Sequence, residues 1–127
     1  MTITDSGRNL LAAAIKGDKT GGFNAFNIMD VGEGGGNTDV TLNTLDVSLT
    51  TNTGFGCTAT LSIDNQIEFY AQLSGVDYQG RTIREVGIFD DPPSSAGASM
   101  LLRIPIDPIG PIISTKTYDI RIIVEVE

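Results

Sequence analysis

The chain has 127 residues, 40% of them hydrophobic, and a formal net charge of −8. This length fits one domain with a core of its own, and the acidity disfavours nucleic-acid backbones and anionic membrane surfaces as partners. Histidine is absent and Cys57 is the only cysteine, which excludes Ser-His and Cys-His nucleophile pairs and an internal disulfide.

The first residues lack the basic and apolar regions of a signal peptide, and no apolar run approaches the ~20 residues that span a bilayer. We therefore expect a soluble protein made in the cytoplasm. Cys57 lies within an alternating run of apolar and small polar residues, so we expect it to be a small buried hydrophobe.

A short α-helix is predicted over residues 4–17. Thr4 and Asp5 are competent N-caps, and Gly17 suits the left-handed position that ends a helix. Apolar residues at helical spacing form one stripe: Leu10, Leu11, Ala14 and Ile15. About three turns are marginally stable alone, so this helix must pack on its own domain or on a neighbouring subunit.

The next predicted element is a strand over residues 26–31. A glycine-rich loop follows it, beginning at Gly32 and including Gly34. Residues 41–54 are predicted as a loop followed by a weak strand, because their apolar residues alternate only briefly.

From Phe55 the alternation is clean. Two period-2 runs, residues 55–63 and 67–73, flank an Asp-Asn turn and predict an antiparallel hairpin. Three further strands are predicted: residues 83–89, 100–106 and 117–127. In the second of these, Pro105 indicates an edge or the end of the strand.

These elements predict a mainly β protein, an antiparallel β-sandwich with a short N-terminal α-helix. Short strands separated by turn-rich loops favour this class over a parallel α/β sheet. We assign residues 1–17 to the N-terminal helix segment and residues 23–127 to the sandwich, which together form a single domain of residues 1–127.

Glycine-rich and acidic loops invite a ligand-binding interpretation. The run GEGGGN at 32–37 lacks the third glycine and the Lys-Ser/Thr pair of phosphate-binding loops, so a flexible loop is the better interpretation. The carboxylates at 30–39 and 90–91 lack the alternating spacing of a calcium loop, and we expect solvated acidic loops there. We predict no catalytic residue, cofactor or metal site, although a carboxylate-pair hydrolase stays open.

The densest stretch is GRTIREVGIFDDPP, residues 80–93. Alternation puts Arg84 on one face of the strand and Glu85 and Phe89 on the other, so neither face is uniformly polar. This pattern indicates a strand that is covered on both sides or borders a subunit contact. An arginine and a glutamate there more often make a partly buried ion pair than a catalytic site. Gly87 would allow a close backbone approach or a bulge.

The same stretch resembles a known family. GRTIREVGIFD is similar to the GxxIRExGLFD signature in the N-terminal domain of phage tail-collar and tail-fibre proteins. The order of the other segments is also similar: an opening helix TDSGRNLLAAAIKGD, a strand and glycine turn FNIMDVGEGGGNT, the run MLLRIPIDP and the closing strand YDIRIIVEV. The resemblance covers most of the chain, but only the signature is specific.

The resemblance implies a structural role in a virion. In that family the domain attaches a fibre to the tail or baseplate, and the fibres are trimeric. This chain stops at Glu127 instead of continuing into a shaft, so we expect an adaptor or baseplate subunit of the virion tail, synthesised in the cytoplasm of the bacterial host. The expected partners are other tail, baseplate or fibre proteins and further copies of the chain, with a trimer favoured. Nucleic acid, membrane and enzymatic activity are not expected.

The residues expected to matter lie in the helix stripe, the glycine loop and the signature strand. The first two are the expected contact elements, and the strand residues are expected to be structural: Leu10, Leu11, Ile15, Gly32, Gly34, Arg84, Glu85 and Phe89. The alternatives are a carbohydrate- or calcium-binding β-sandwich module and a capsid-decorating protein.

Overall fold

The structure, a computed structural model, describes residues 2–4, 26–34, 44–63 and 66–125. These ranges contain no helix, and so none that could cross a bilayer. The strands in chain order are β1 (Thr2–Ile3), β2 (Ile28–Gly32), β3 (Phe55–Gly56), β4 (Thr58–Ile63), β5 (Gln66–Ser74), β6 (Ile83–Phe89), β7 (Met100–Ile109) and β8 (Thr117–Glu125).

The strands form two antiparallel sheets. The five-stranded sheet has the order β1-β7-β6-β2-β3, and the three-stranded sheet has the order β4-β5-β8. The chain passes from the first sheet to the second at Cys57, between β3 and β4. For the described residues, these sheets confirm the prediction of a mainly β, antiparallel protein.

Both sheets contribute side chains to one buried apolar cluster. The five-stranded sheet supplies Met29, Val31, Ile83, Val86, Ile88, Leu101 and Leu102, and the three-stranded sheet supplies Phe69, Ala71, Leu73, Ile120, Ile122 and Val124. Burying one large aliphatic side chain stabilises a fold by about 1.5–3 kcal/mol, so this shared cluster holds the two sheets together. The alternation predicted for the last strand is confirmed, because its even-numbered residues face this cluster.

The predicted hairpin is confirmed for β4 and β5, whereas Phe55 and Gly56, which were predicted to belong to it, pair with β2 in the other sheet. β4 and β5 pair in antiparallel register, with Thr58 opposite Tyr70. Pro105 does not end β7, which continues to Ile109. Pro105 lies opposite Glu85 of β6, and no described residue pairs with its other edge, which is the position where a strand tolerates proline.

The weak strand predicted within residues 41–54 is wrong for the part that the structure describes. Residues 44–54 form turns and bends, with one isolated bridge between Ser48 and Gly32. The Ser48 hydroxyl accepts hydrogen bonds from the backbone N–H groups of Thr50 at 3.2 Å and Asn52 at 3.0 Å. Local side-chain acceptors of this kind turn the chain and compete with strand pairing.

The N-terminal segment begins with a strand that the sequence did not predict. β1 pairs with β7, with Thr2 opposite Arg103, so the first residues of the segment 1–17 are strand and not helix. Thr4, proposed as an N-cap, is fully buried; its N–H donates to Leu101 O at 3.2 Å and its hydroxyl to Met100 O. The rest of the predicted helix, including Leu10, Leu11 and Ile15, lies outside the described residues.

Gly75→Ala is expected to destabilise the fold by about 1–3 kcal/mol, because it overpacks a backbone contact. Gly75 is buried in the turn after β5, and its N–H donates to Lys116 O at 2.8 Å. An added Cβ would lie 2.5 Å from Lys116 O and closer still to Ile113 O. Urea denaturation measures the effect.

Gly97→Ala is the matched control, because Gly97 is exposed and a Cβ there meets no heavy atom within 4 Å. Equal denaturation midpoints for the two variants would contradict this account of the turn.

Candidate functional site

β6 lies at the centre of the five-stranded sheet and is buried on both faces. Val86 and Ile88 join the cluster shared with the three-stranded sheet. On the opposite face, Phe89 packs with Leu45 and Met100, and all three are buried. The predicted two-sided burial of this strand is therefore confirmed.

Residues 44–54, called here the covering segment, lie beside β2. Leu49 N donates to Val31 O at 2.9 Å, and Glu33 N donates to Val47 O at 3.0 Å. Leu45 extends from this segment to the face of the sheet that carries Phe89. A Cβ added to Gly87 of β6 would lie 3.0 Å from Leu45 Cδ2 and 2.8 Å from a ring carbon of Phe89, so side chains approach Gly87 closely, and not the backbone that was predicted.

Asp30 fixes the covering segment to β2. Its carboxylate accepts hydrogen bonds from Ser48 Oγ at 2.8 Å, Thr50 Oγ1 at 2.6 Å and Val31 N at 2.9 Å. Burial raises the pKa of Asp30, and these three hydrogen bonds offset part of that rise. Asp30 is 0% exposed, so the interpretation of this carboxylate as part of a solvated acidic loop is wrong.

The Glu85 side chain packs against the glycine turn that ends β2. A Cβ added to Gly32 would lie 3.2 Å from Glu85 Oε1, and one added to Gly34 would lie 3.6 Å from it. Glu85 Oε1 accepts a hydrogen bond from Asp46 N at 3.2 Å, whereas Oε2 is buried with no hydrogen-bond partner. Glycine is needed at position 32 because an added Cβ would also lie 2.6 Å from Val47 O.

The pKa of Glu85 is raised, chiefly because its side chain is removed from water. The Asp46 amide and the positive charge of Arg103 lower this pKa, whereas the negative charges of Asp46 and Asp30 raise it. The cross-strand register explains why these groups interact: Asp30 and Arg103 both lie opposite Gly87, two residues along β6 from Glu85.

The structure brings together Gly32, Gly34 and Glu85 from the predicted site, and Phe89 is buried further along the same strand. Arg84 is exposed, although alternation alone would put it on the same face as the buried Val86 and Ile88. The register of β6 with β7 shifts between Ile83 and Glu85, so regular alternation is interrupted at Arg84.

The expectation that this strand's arginine and glutamate form a partly buried ion pair is wrong. The ion pair of this stretch joins Arg81 to Glu33, with Arg81 Nε donating to Glu33 Oε1 at 2.7 Å. The Arg81 side chain is 53% exposed, so the pair orients the glycine turn and adds little stability.

The second acidic loop is also less solvated than predicted. Asp90 is 8% exposed, and its Oδ1 accepts a hydrogen bond from Ser99 N at 2.7 Å. Asp90 N donates to Ser99 O at 3.2 Å, so this residue closes the loop between β6 and β7. Among the described residues, no group of three or more Asp, Glu, Cys or His side chains is arranged to hold a metal ion.

Chemically, Asp30 and Glu85 hold the covering segment in place by accepting hydrogen bonds from it. Both carboxyl groups have raised pKa values, as general acids do, but their residues are 0% and 1% exposed. A substrate would reach them only if the covering segment moved away. The hydrogen bonds that hold this segment to Asp30 and Glu85 oppose that movement.

Sequence reasoning missed the structural role of Asp30. The available signal was its position inside an apolar strand, where a carboxylate needs partners, together with the hydroxyl-rich run after Ser48. Ser48 and Thr50 lie 18 and 20 residues away along the chain, and local pattern does not pair residues at that separation.

Comparison of the chain with models of known protein families, with curated protein sequences and with solved structures gives no match. The functional argument therefore starts from the sequence resemblance and from the geometry of this site.

Glu85→Gln is expected to reduce the pH dependence of unfolding. Because burial raises the pKa of Glu85 above its ordinary value of 4.5, the folded protein binds this proton more tightly than the unfolded chain does. Relative to the variant, the wild-type protein should have its full stability below pH 4.5 and lose stability as the pH rises through the raised pKa. Urea denaturation at about pH 4 to 8 measures this difference.

Asp77→Asn, at an exposed carboxylate, is the control. A stability difference between wild type and Glu85→Gln that does not change with pH, or that changes in the opposite direction, would show that Glu85 is not buried as described.

The Cys57 thiol is expected to react slowly in the folded protein. Burial raises its pKa from 9.0 to about 11, and the thiolate is the reactive form. At pH 8 the thiolate fraction should therefore be about 100-fold lower than for a thiol with the ordinary pKa. Iodoacetamide alkylation, followed by mass spectrometry, should accelerate up to about pH 11 in the folded protein. The urea-unfolded chain is the control, and a plateau near pH 9 in the folded state would contradict the prediction.

Proposed function

We propose that this chain is a non-enzymatic structural subunit of a bacteriophage tail or baseplate, acting as an attachment or adaptor subunit for tail fibres. In this proposal the two sheets pack as a β-sandwich, and a short α-helix follows β1. The protein is made in the cytoplasm of the bacterial host and becomes part of the virion tail.

The observation that carries the proposal is the juxtaposition of the segments that resemble the tail-collar and tail-fibre family. FNIMDVGEG forms β2, the signature GRTIREVGIFD forms β6, and MLLRIPIDP forms most of β7. These strands are neighbours in one sheet, with β6 between β2 and β7, although β2 is distant from β6 along the chain. Segments that resemble one family and also build one continuous surface support a shared architecture.

Contacts within this surface support the same interpretation. The Arg81–Glu33 ion pair joins the start of the signature to the glycine turn, and Glu85 of the signature packs on Gly32 and Gly34 of that turn. Glu85, Phe89 and Asp90 of the signature make internal contacts, whereas Arg84 is exposed. Most of the signature is thus accounted for by folding, which suits a structural subunit.

The proposed partners are other tail, baseplate or fibre proteins and further copies of the chain, with a trimer favoured by the resembled fibres. The apolar stripe of Leu10, Leu11 and Ile15 and the loop at 32–37 are the proposed contact elements. The stripe supports this assignment because an amphipathic helix of about three turns needs a surface to pack on.

The function is tested by electron microscopy of virions labelled with an antibody against this chain. Labelled tails or baseplates are expected. Labelled heads would identify a capsid-decorating protein instead, and unlabelled virions would overturn the proposal.

Replacing Leu10, Leu11 and Ile15 together with serine is expected to abolish the proposed trimer and binding to tail proteins while the fold is retained. Size-exclusion chromatography with light scattering and circular dichroism separate assembly from folding. Deletion of residues 1–16 is a poorer test, because it also removes β1 and the buried Thr4.

The double variant Val76→Ser/Ile113→Ser is the matched control, because both positions are exposed apolar residues outside the stripe. A triple-serine variant that assembles like the wild type would contradict the placement of the contact.

A further inference from the structure

β8 is a long, uninterrupted edge of the three-stranded sheet. All nine of its residues pair with β5 without a register shift, and no described residue pairs with its other edge. Natural edge strands usually carry a bulge, a proline or a lysine that discourages pairing with another chain. β4 has a register shift near Leu61, and β7 carries Pro105 and Pro108. β8 has no bulge, proline or lysine, and its only protection of this kind is the charged side chains of Asp119, Arg121 and Glu125.

The exposed face of β8 carries opposite charges two residues apart. Asp119 accepts a hydrogen bond from Tyr70 Oη at 2.8 Å, and Arg121 donates to Glu68 Oε1 at 2.6 Å. The Arg121 guanidinium also lies 4.5 Å from the centre of the Tyr70 ring. These contacts hold both charged side chains in place, so less conformational entropy is lost when they meet a partner.

Two β8 strands could pair in several antiparallel registers, which differ in the charged residues that lie opposite each other. Registers centred on Asp119 or on Arg121 place two like charges directly opposite each other, which is destabilising. A register centred on Ile120 places Asp119 of each copy opposite Arg121 of the other. It also pairs Thr117 with Ile123, an exposed side chain that is 58% accessible.

The register centred on Ile123 is a weaker alternative. It also avoids like charges among the described residues, since Arg121 lies opposite Glu125, but it overlaps only residues 121–125 of each copy. The register centred on Ile120 overlaps residues 117–123, so it forms a longer ladder.

From this self-complementarity we propose that β8 pairs with β8 of a second copy of this chain, antiparallel and centred on Ile120. The contact joins two three-stranded sheets into one continuous sheet around a two-fold axis. It goes beyond the proposed function and does not depend on it. If the chain also forms a trimer through other surfaces, the two contacts generate a hexamer when the two-fold and three-fold axes meet at right angles.

The contact is expected to be weak and to depend on concentration. One edge-to-edge ladder is at the small end of protein interfaces, and each copy carries a net charge of −8. At a salt concentration of about 0.15 M, repulsion between charges more than about 8 Å apart is largely screened. The association is therefore measured at this salt concentration.

Two charge reversals test the register. Asp119→Arg gives a chain with arginine at both positions, and Arg121→Asp gives a chain with aspartate at both. Each variant alone should dimerise at least about tenfold more weakly, because two like-charge contacts replace two opposite-charge ones. An equimolar mixture should restore a dimer with one copy of each chain, because all four groups then face opposite charges.

Sedimentation velocity at concentrations up to about 1 mM measures both effects. Circular dichroism verifies folding, and Asp77→Arg, the same reversal at an exposed position in the turn after β5, is the control and should leave the dimer unchanged. A wild-type chain that shows no two-fold association over this range overturns the proposal. So do reversal variants that associate like the wild type, or a mixture that is no stronger than its components.

Hydrogen exchange on the wild-type chain tests the edge without any substitution. Raising the concentration should slow exchange at alternate amides of β8, those on the edge away from β5, and should leave the amides of β4 unchanged. Protection that appears at β4 and not at β8 overturns the proposal. Because this readout needs no tail protein, a failure of the tail assignment leaves it unaffected.

Discussion

Burial of β6 on both faces is the constraint on which the rest of the structure depends. Hydrogen bonds to β2 and β7 occupy its two edges, and apolar layers cover its two faces. A strand enclosed in this way can carry a carboxylate only if other groups offset the loss of water around it. The Asp46 amide and the charge of Arg103 do this for Glu85. The chain must therefore build a layer on each side, the three-stranded sheet on one and Leu45 of the covering segment on the other.

The buried carboxylates explain why a segment without regular structure stays in a defined position. The covering segment makes few backbone pairs with β2, so its order depends on side chains that reach Asp30 and on an amide that reaches Glu85. Hydrogen bonds to an ionised acceptor are stronger than neutral ones and have strict geometry, which favours one arrangement over many. The free-energy cost of removing a charge from water opposes the gain from these hydrogen bonds. The hydrogen bonds to Asp30 and Glu85 therefore contribute more to the uniqueness of the fold than to its stability.

The sequence was a good guide where structure follows local pattern. Alternation predicted the β4–β5 hairpin and the buried face of β8, and the mixed faces of residues 83–89 predicted a strand enclosed on both sides. Local pattern failed where distant residues decide. Alternation in residues 44–54 was overridden by turns around the Ser48 hydroxyl. Asp30 was assigned to solvent because its partners are distant in sequence, and β1 is too short to have a pattern at all.

The placement of β1 has a consequence for synthesis on the ribosome. The Thr4 hydroxyl meets a carbonyl 96 residues further along the chain, and β2 pairs with β6 more than fifty positions later. β1 must therefore wait, unpaired, until β7 has been made, and β2 meets only one strand, the two-residue β3, before β6 emerges. Maturation begins instead with the β4–β5 hairpin, whose partners emerge together. Pairing of strands that are distant along the chain slows folding to about milliseconds to seconds. The apolar segments made early therefore remain accessible to chaperones during translation.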